Sequence, residues 1–139
     1  MSKQWCQMRR MTKEIKEEIA RITKYCYYGN YSSAEERLKN YLKNRLERMG
    51  LYGKGVYYAL KGVVEALKEQ NEYSAIYRIV NASTAREARE IRELLSIEEM
   101  AKLDDFDLGY FEAWRIVAET VESLKSSAVK QGVNQNPKN

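Results

Sequence analysis

The chain has 139 residues, of which 44% are hydrophobic and 32% charged, a composition typical of one folded domain and not of a disordered segment. No apolar run approaches the roughly 18 residues of a membrane span, and the first ten residues lack the apolar stretch of a secretory signal, so a cytoplasmic protein is expected. Histidine is absent, which excludes Ser-His and Cys-His nucleophile pairs and most zinc sites. The net charge of +4 is unevenly spread, because residues 1–61 hold 14 basic and 6 acidic side chains whereas residues 62–139 hold 10 and 14.

Three- and four-residue spacing of apolar side chains predicts a first helix from about Met8 to Tyr28, ended by Gly29 and Asn30. The only proline is Pro137, so helix is permitted nearly everywhere before it. The buried stripe of this helix is expected to contain Met8, Met11, Ile15, Ile19, Ile22 and Cys26.

A second helix is expected to begin at Ser32 or Ser33, because Ser32 and Glu35 have the spacing of a capping box. Gly50 is expected to end it. Its buried face is expected to contain Leu38, Leu42, Leu46 and Met49.

Residues 50–55 contain three glycines and are predicted to form a tight turn before a third helix that reaches about Gln70. The inward side chains of this helix are expected to be Val56, Leu60, Val63, Val64 and Leu67. Gly62 lies within it, where a small residue would allow a neighbouring helix to approach closely.

Four further helical segments follow in the sequence pattern. The first spans about Tyr73 to Val80, and capping boxes at Thr84 with Glu87 and at Ser96 with Glu99 begin segments that end near Leu95 and Leu103. The last helix begins near Asp107 as N-cap and uses a core stripe of Phe111, Trp114, Val117, Ala118, Val121 and Leu124. The chain turns polar from Ser126.

These elements together predict an all-α protein: a single compact bundle of about five to six helices with short loops. Residues 1–128 would form the bundle, and residues 129–139 a polar C-terminal tail.

A basic flank on the second helix is the strongest candidate for function. At about 100° per residue, four side chains fall beside the apolar stripe: Arg37, Tyr41, Arg45 and Arg48. Lys39 and Lys43 lie on the other flank. Arginines with an interleaved tyrosine suit phosphate contact and base stacking. An ordinary solvated face, with arginines paired to Glu35, Glu36 and Glu47, is the alternative.

Two further groups could contact a polyanion. Consecutive tyrosines cannot all point inward from one helix, so the cluster of Tyr25, Tyr27, Tyr28 and Tyr31 is interpreted as an interface or as a stacking surface for nucleotides. The glycine-rich segment presents Lys54 before a helix, where backbone amides bind anions. A plain helix connection explains that segment equally well.

The remaining reactive groups are not expected to form a catalytic or metal site, and no cofactor is expected. Asp104, Asp105 and Asp107 stand where a helix N-cap and first-turn acids belong. The last helix also carries Glu112, Glu119 and Glu122, with no partner base in the sequence pattern. Cys6 and Cys26 lack the spacing of a zinc site and are expected to be buried thiols.

Gly50-Leu51 followed by Tyr57, and the later residues Tyr110, Arg115, Lys125 and Ala128, resemble the small helical subunit of type III CRISPR effector complexes, the Cmr-type small subunit of antiviral defence. The resemblance implies a non-catalytic subunit, of which several copies stack with sister subunits and cradle a guide–target RNA duplex. The side chains that would contact RNA are Arg37, Lys39, Lys43, Arg45, Arg48 and Lys54.

Two alternatives remain open. The coat proteins of filamentous archaeal viruses are also small, basic helical bundles, and they wrap DNA. A helical protein-interaction module would use the basic half against an acidic protein. RNA is favoured over DNA as the partner through the resemblance alone, because phosphate contacts carry little base information.

Overall fold

The computed structural model describes residues 11–82, 84–94 and 104–130, and the side chains of all of these except 91–94 and 128–130. The described part is helical and contains no strand, which confirms the predicted all-α bundle. The predicted helix start at Met8, residue Cys6, the capping box of Ser96 and Glu99, and the tail beyond residue 130 lie outside the described residues.

Six helices make up the described ranges. Helix α1 is Lys13–Tyr27, and α2 is a continuous helix formed by Tyr31–Arg37, a π-helical turn at Leu38–Leu42, and Lys43–Glu47. Helix α3 is Gly50–Lys68, α4 is Ala75–Val80, α5 is Ala85–Leu94 and α6 is Asp105–Lys130. None of these described helices is long and apolar enough to cross a membrane.

Helix α1 follows its sequence pattern closely. The side chain of Thr12 accepts a hydrogen bond from the Ile15 amide at 3.1 Å and caps the helix. The predicted stripe is buried from Met11 to Cys26. Gly29, with φ of +84°, ends the helix in the left-handed conformation that glycine adopts most readily.

The predicted capping box of α2 is wrong. The helix begins at Tyr31, before Ser32, and the Ala34 amide donates to the Asn30 carbonyl at 3.1 Å. Because Gly29 reverses the chain directly after α1, the next helical turn starts before the serines. Ser32 therefore lies within the helix, where it caps nothing.

The π-helical turn in α2 keeps its leucines on one face. Leu38, Leu42 and Leu46 are all buried, and each is four residues from the next. A spacing of four residues drifts around an α-helix of 3.6 residues per turn, and the wider π-helical turn reduces that drift. Met49, the last residue of the predicted face, is half-buried.

The predicted glycine-rich turn is also wrong, because residues 50–55 form the first turns of α3. A Cβ atom on Gly53 would lie 1.8 Å from the Leu46 carbonyl oxygen, and one on Gly55 would lie 2.0 Å from the Phe106 carbonyl oxygen. These glycines therefore permit close helix packing. Gly62, which was predicted for that role, is exposed, and a Cβ there would meet nothing within 4 Å.

Side-chain caps set the starts of α5 and α6. The Glu87 amide donates to the Thr84 hydroxyl at 3.1 Å, as predicted for α5. At α6 the cap is Asp104, whose carboxylate accepts from the Asp107 amide at 2.8 Å, so the prediction of Asp107 as N-cap is wrong by three residues. Tyr73 lies outside α4 and is 90% exposed.

The core lies where α3 crosses α6, with α1 and α2 packed around it. Of the predicted α6 stripe, Val117, Ala118 and Val121 are fully buried. The aromatic and leucine positions of that stripe are only half-buried: Phe111, Trp114 and Leu124. Helix α6 continues past Ser126 to Lys130, so the polar turn in the sequence does not end it.

Candidate nucleic-acid interface

Arg37, predicted to contact phosphate, instead ties α2 to α1. Its guanidinium donates to both carboxylate oxygens of Glu18, with one of the two bonds, from Nη2 to Oε1, at 3.0 Å. Arg21 donates to the same carboxylate at 3.1 Å. The Arg37 guanidinium also lies 4.2 Å from the centroid of the Tyr41 ring. The predicted pairing of arginines with acids therefore holds for Arg37, but its partner is on another helix.

The buried Glu18 carboxyl has a lowered pKa, chiefly because of the hydrogen bond from Arg37. Since the folded-state pKa lies below the unfolded value, the stabilisation is present above that unfolded value and is lost as pH falls through the folded-state pKa. We expect Glu18→Gln to remove this part of the acid dependence. Urea midpoints of the variant should change less between about pH 7 and pH 3 than those of the wild type.

Glu14→Gln is the matched control, because the Glu14 side chain is 76% exposed and meets Arg45 at 3.4 Å only on the surface. A surface pair of this kind adds little to stability. Equal acid dependence in wild type and Glu18→Gln would contradict the assignment.

The other predicted basic residues remain on the surface. Arg45, Arg48 and Lys54 are exposed, and Arg45 has only the surface contact with Glu14. Within the described ranges neither Arg48 nor Lys54 forms an ion pair. Tyr41 is 55% exposed beneath Arg37.

A groove of about 190 Å³ lies between the π-helical turn of α2 and the middle of α3. Lys39, Tyr57 and Lys61 line it, and Lys43 places its ammonium nitrogen 5.9 Å from the centroid of the Tyr57 ring. We call Lys39, Lys43, Tyr57 and Lys61 the basic groove. Glu35 and Glu65 also line the groove, each four residues from Lys39 or Lys61 on the same helix. No carboxylate among the described residues forms an ion pair with the three lysines, and Lys68 contacts Glu35 at 3.2 Å.

Local sequence explains why these side chains converge. Tyr57 and Lys61 are four residues apart on α3, and Lys54 lies one turn earlier on the same helix. The π-helical turn carries Lys39 and leads into Lys43. The sequence pattern had indicated Lys39, Lys43 and Lys54, but it missed Lys61.

A row of aromatic rings extends from the basic groove across α3 and onto α6. The centroids of Tyr57 and Tyr58 are 5.9 Å apart, and those of Tyr58 and Phe106 are 6.0 Å apart. Phe106 and Tyr110 follow at 6.5 Å, nearly parallel, and Tyr110 and Phe111 at 5.5 Å. We call these five residues the aromatic row. Sequence reasoning missed it, because half of it lies on α6 and Phe111 was assigned to the core.

The predicted tyrosine cluster does not form one exposed surface. Tyr28 is 68% exposed, whereas Tyr25, Tyr27 and Tyr31 are half-buried and pack against the core. Tyr27 and Tyr28 meet edge to face at 5.1 Å. Burial raises the pKa of Tyr27. Three of the four rings therefore pack within the chain itself.

A second groove, of about 700 Å³, lies between α1 and α6. Its lining mixes Arg21 and Lys24 with Glu17 and Glu119, together with small polar side chains of α6. Carboxylates line both grooves, and the basic groove is distinguished by Lys43, whose ammonium nitrogen lies 5.9 Å from the centroid of the Tyr57 ring.

The acids and the cysteine have structural environments. Glu112 accepts a hydrogen bond from the buried Tyr52 hydroxyl, and Glu122 meets Arg89 at 3.5 Å. Glu119 is exposed on α6. Burial raises the pKa of the Cys26 thiol to about 12, which leaves it unreactive at neutral pH. The described residues contain no group of three or more side chains placed to hold a metal ion.

Lys125, one of the residues that carried the family resemblance, has a structural position on α6. Its ammonium nitrogen donates to the carbonyls of Val80 at 2.7 Å and Ala82 at 2.8 Å, and burial lowers its pKa. It therefore caps the end of α4 from within the bundle. No protein-family model, no curated protein and no solved structure matches the chain.

Proposed function

We propose that the chain is a non-catalytic subunit of a larger assembly and binds the phosphate backbone of a nucleic acid through the basic groove. One observation carries the proposal: Lys39 and Lys61 line one groove with Tyr57, Lys43 lies over the same ring, and none of these lysines forms an ion pair with a described carboxylate. Lysines in this arrangement bind phosphates as point charges, and a nearby ring adds a surface for a base.

The set of contacting residues is narrower than the sequence pattern indicated. Arg37 is occupied by Glu18, so the proposed phosphate contacts are Lys39, Lys43, Lys61 and Lys54, with Arg45 and Arg48 as peripheral cations. A subunit of a type III CRISPR effector is the specific form of this proposal, and RNA is its proposed partner. Its support is the resemblance at Gly50-Leu51 and Tyr57 together with the position of Tyr57 in the groove.

A salt titration of the wild-type protein tests the proposal. Fluorescence anisotropy with labelled single-stranded and duplex RNA and DNA would give the affinity at several salt concentrations. Three to four phosphate contacts predict that log K falls against log salt with a slope of about −2 to −3 on a single strand. Absence of binding to all four ligands at about 50 mM salt would contradict the proposal and favour a protein-interaction module.

A further inference from the structure

We infer that the bound nucleic acid is single-stranded, with its bases stacked on the aromatic row at Tyr58 and Phe106 while its phosphates follow the lysines of the basic groove. This inference rests on the proposed phosphate binding, and it assigns a single strand where the family resemblance implies a duplex.

The aromatic row offers faces to which bases can be added. Tyr58 is 46% exposed, whereas Phe106 and Tyr110 are half-buried. The planes of the Phe106 and Tyr110 rings differ by 22°, so the two rings present nearly parallel faces. Stacking on such rings tolerates any base, because every base has a π face. A duplex keeps its base faces within its own stack, whereas a single strand leaves them free.

The row begins inside the basic groove. Tyr57 belongs to both, since Lys43 lies over its ring and Tyr58 touches it edge to face. A strand whose phosphates contact Lys39, Lys43 and Lys61 therefore has its bases within reach of the row. One strand can satisfy both features together, with its phosphates on the lysines of α2 and α3 and its bases on the rings of α3 and α6.

Charge beside Phe106, the middle ring of the row, sets the orientation of the strand. Phe106 stands among Asp104, Asp105 and Asp107 at the start of α6. These carboxylates repel phosphates but not the uncharged base faces. A duplex presents phosphates along both edges and would bring one of them against these acids. The arrangement therefore selects a single strand with its backbone turned towards the lysines.

The test compares Tyr58→Leu with wild type on a single-stranded RNA of about 12 nucleotides and on the same sequence as a duplex. Leucine keeps apolar bulk at this half-exposed position but removes the ring. We expect binding of the single strand to weaken roughly fivefold or more, with the salt slope unchanged, since a stacked base and not a phosphate is lost. Duplex binding should be unaffected and weaker than single-strand binding in the wild type.

Two further variants complete the test. Tyr58→Trp should keep the single-strand affinity of the wild type, which Tyr58→Leu loses, because tryptophan provides an aromatic face. Tyr73→Leu is the matched control: Tyr73 is 90% exposed outside the row, and its loss should change nothing. Circular dichroism and the melting temperature of each variant report whether it is folded.

The outcomes separate this inference from the proposed function. If folded Tyr58→Leu binds the single strand as wild type does, or if Tyr58→Trp fails to restore affinity, the stacking site is wrong. If neutralising the groove lysines nevertheless weakens binding in the same assay, the proposed function stands without it. If the wild type prefers the duplex, the inference of a single-stranded ligand is overturned and phosphate binding is retained.

Discussion

Replacing Gly55 by alanine is expected to lower the melting temperature by about 10 °C or more, because one methyl group is forced against the backbone of another helix. The added Cβ would lie 2.0 Å from the Phe106 carbonyl oxygen and 3.0 Å from the Tyr110 amide nitrogen. Both are backbone atoms within α6, so no side chain can move aside to make room. The helices must separate, and the core between them loses its close packing.

The contact is reciprocal, which gives the prediction a second variant. Gly109 on α6 stands against the Tyr52 carbonyl of α3, where a Cβ would lie 2.1 Å from the oxygen. Gly109→Ala should therefore destabilise by a similar amount, about 3 kcal/mol. Both crossings set the register that places Phe106 beside Tyr58.

Gly62→Ala is the matched control within α3. Its Cβ would enter open space in the middle of an exposed helix turn. Alanine restricts the unfolded chain and favours helix, so the change should stabilise by about 0.5–1 kcal/mol. The melting temperatures of the three variants, compared with that of the wild type, test these expectations. Gly55→Ala melting with the wild type would contradict the close approach of α3 and α6.

Much of the fold follows from periodicity. The stripe of α1, the leucine face of α2 and the Val117–Val121 centre of α6 were all predicted from three- and four-residue spacing, because burial of one face dominates helix packing. Thr84 was predicted as a cap from local chemistry alone. The capping box predicted at Ser32 was wrong, because the left-handed Gly29 reverses the chain and α2 begins before the serines.

The roles of the glycines could not be read from the sequence. The glycine-rich sequence around Gly53 and Gly55 is typical of a turn. Their actual role depends on the carbonyls of Leu46 and Phe106, and the second of these lies more than fifty residues away. The same reasoning predicted a close approach at Gly62, where a Cβ atom would meet no atom of the described residues within 4 Å.

At the candidate site, too, residues that depend on local sequence could be predicted and contacts between helices could not. Lys39, Lys43 and Lys54 could be predicted because they cluster in a basic stretch. The ion pair between Arg37 and Glu18 could not be predicted, because it joins two different helices. The aromatic row depends on the register of α6 against α3, which no local pattern contains. The period linking Lys54, Tyr57 and Lys61 was the one signal present in the sequence that could have added Lys61.

Combined neutralisation of Lys39, Lys43 and Lys61 to alanine is expected to produce the largest functional effect. Lys39 and Lys61 line the groove, Lys43 lies over its Tyr57 ring, and none of the three forms an ion pair with a described carboxylate. Their removal should weaken binding to single-stranded RNA by roughly tenfold or more at low salt. The salt slope should become shallower by about 2, because three phosphate contacts are lost. All three side chains are exposed, so the fold should be retained.

A variant with Lys13, Lys16 and Arg78 changed to alanine loses the same net charge from exposed positions outside the groove. Any general effect of net charge on a polyanion appears equally in both variants. The difference between them therefore reports the site and not the total charge.

Anisotropy of a labelled single-stranded RNA titrated with wild type and with these two variants tests the central claim most directly. The account predicts that the groove variant loses affinity and salt dependence while the control variant stays close to wild type. Equal losses in the two variants, or a groove variant that binds as tightly as wild type, would contradict the assignment of phosphate binding to the basic groove.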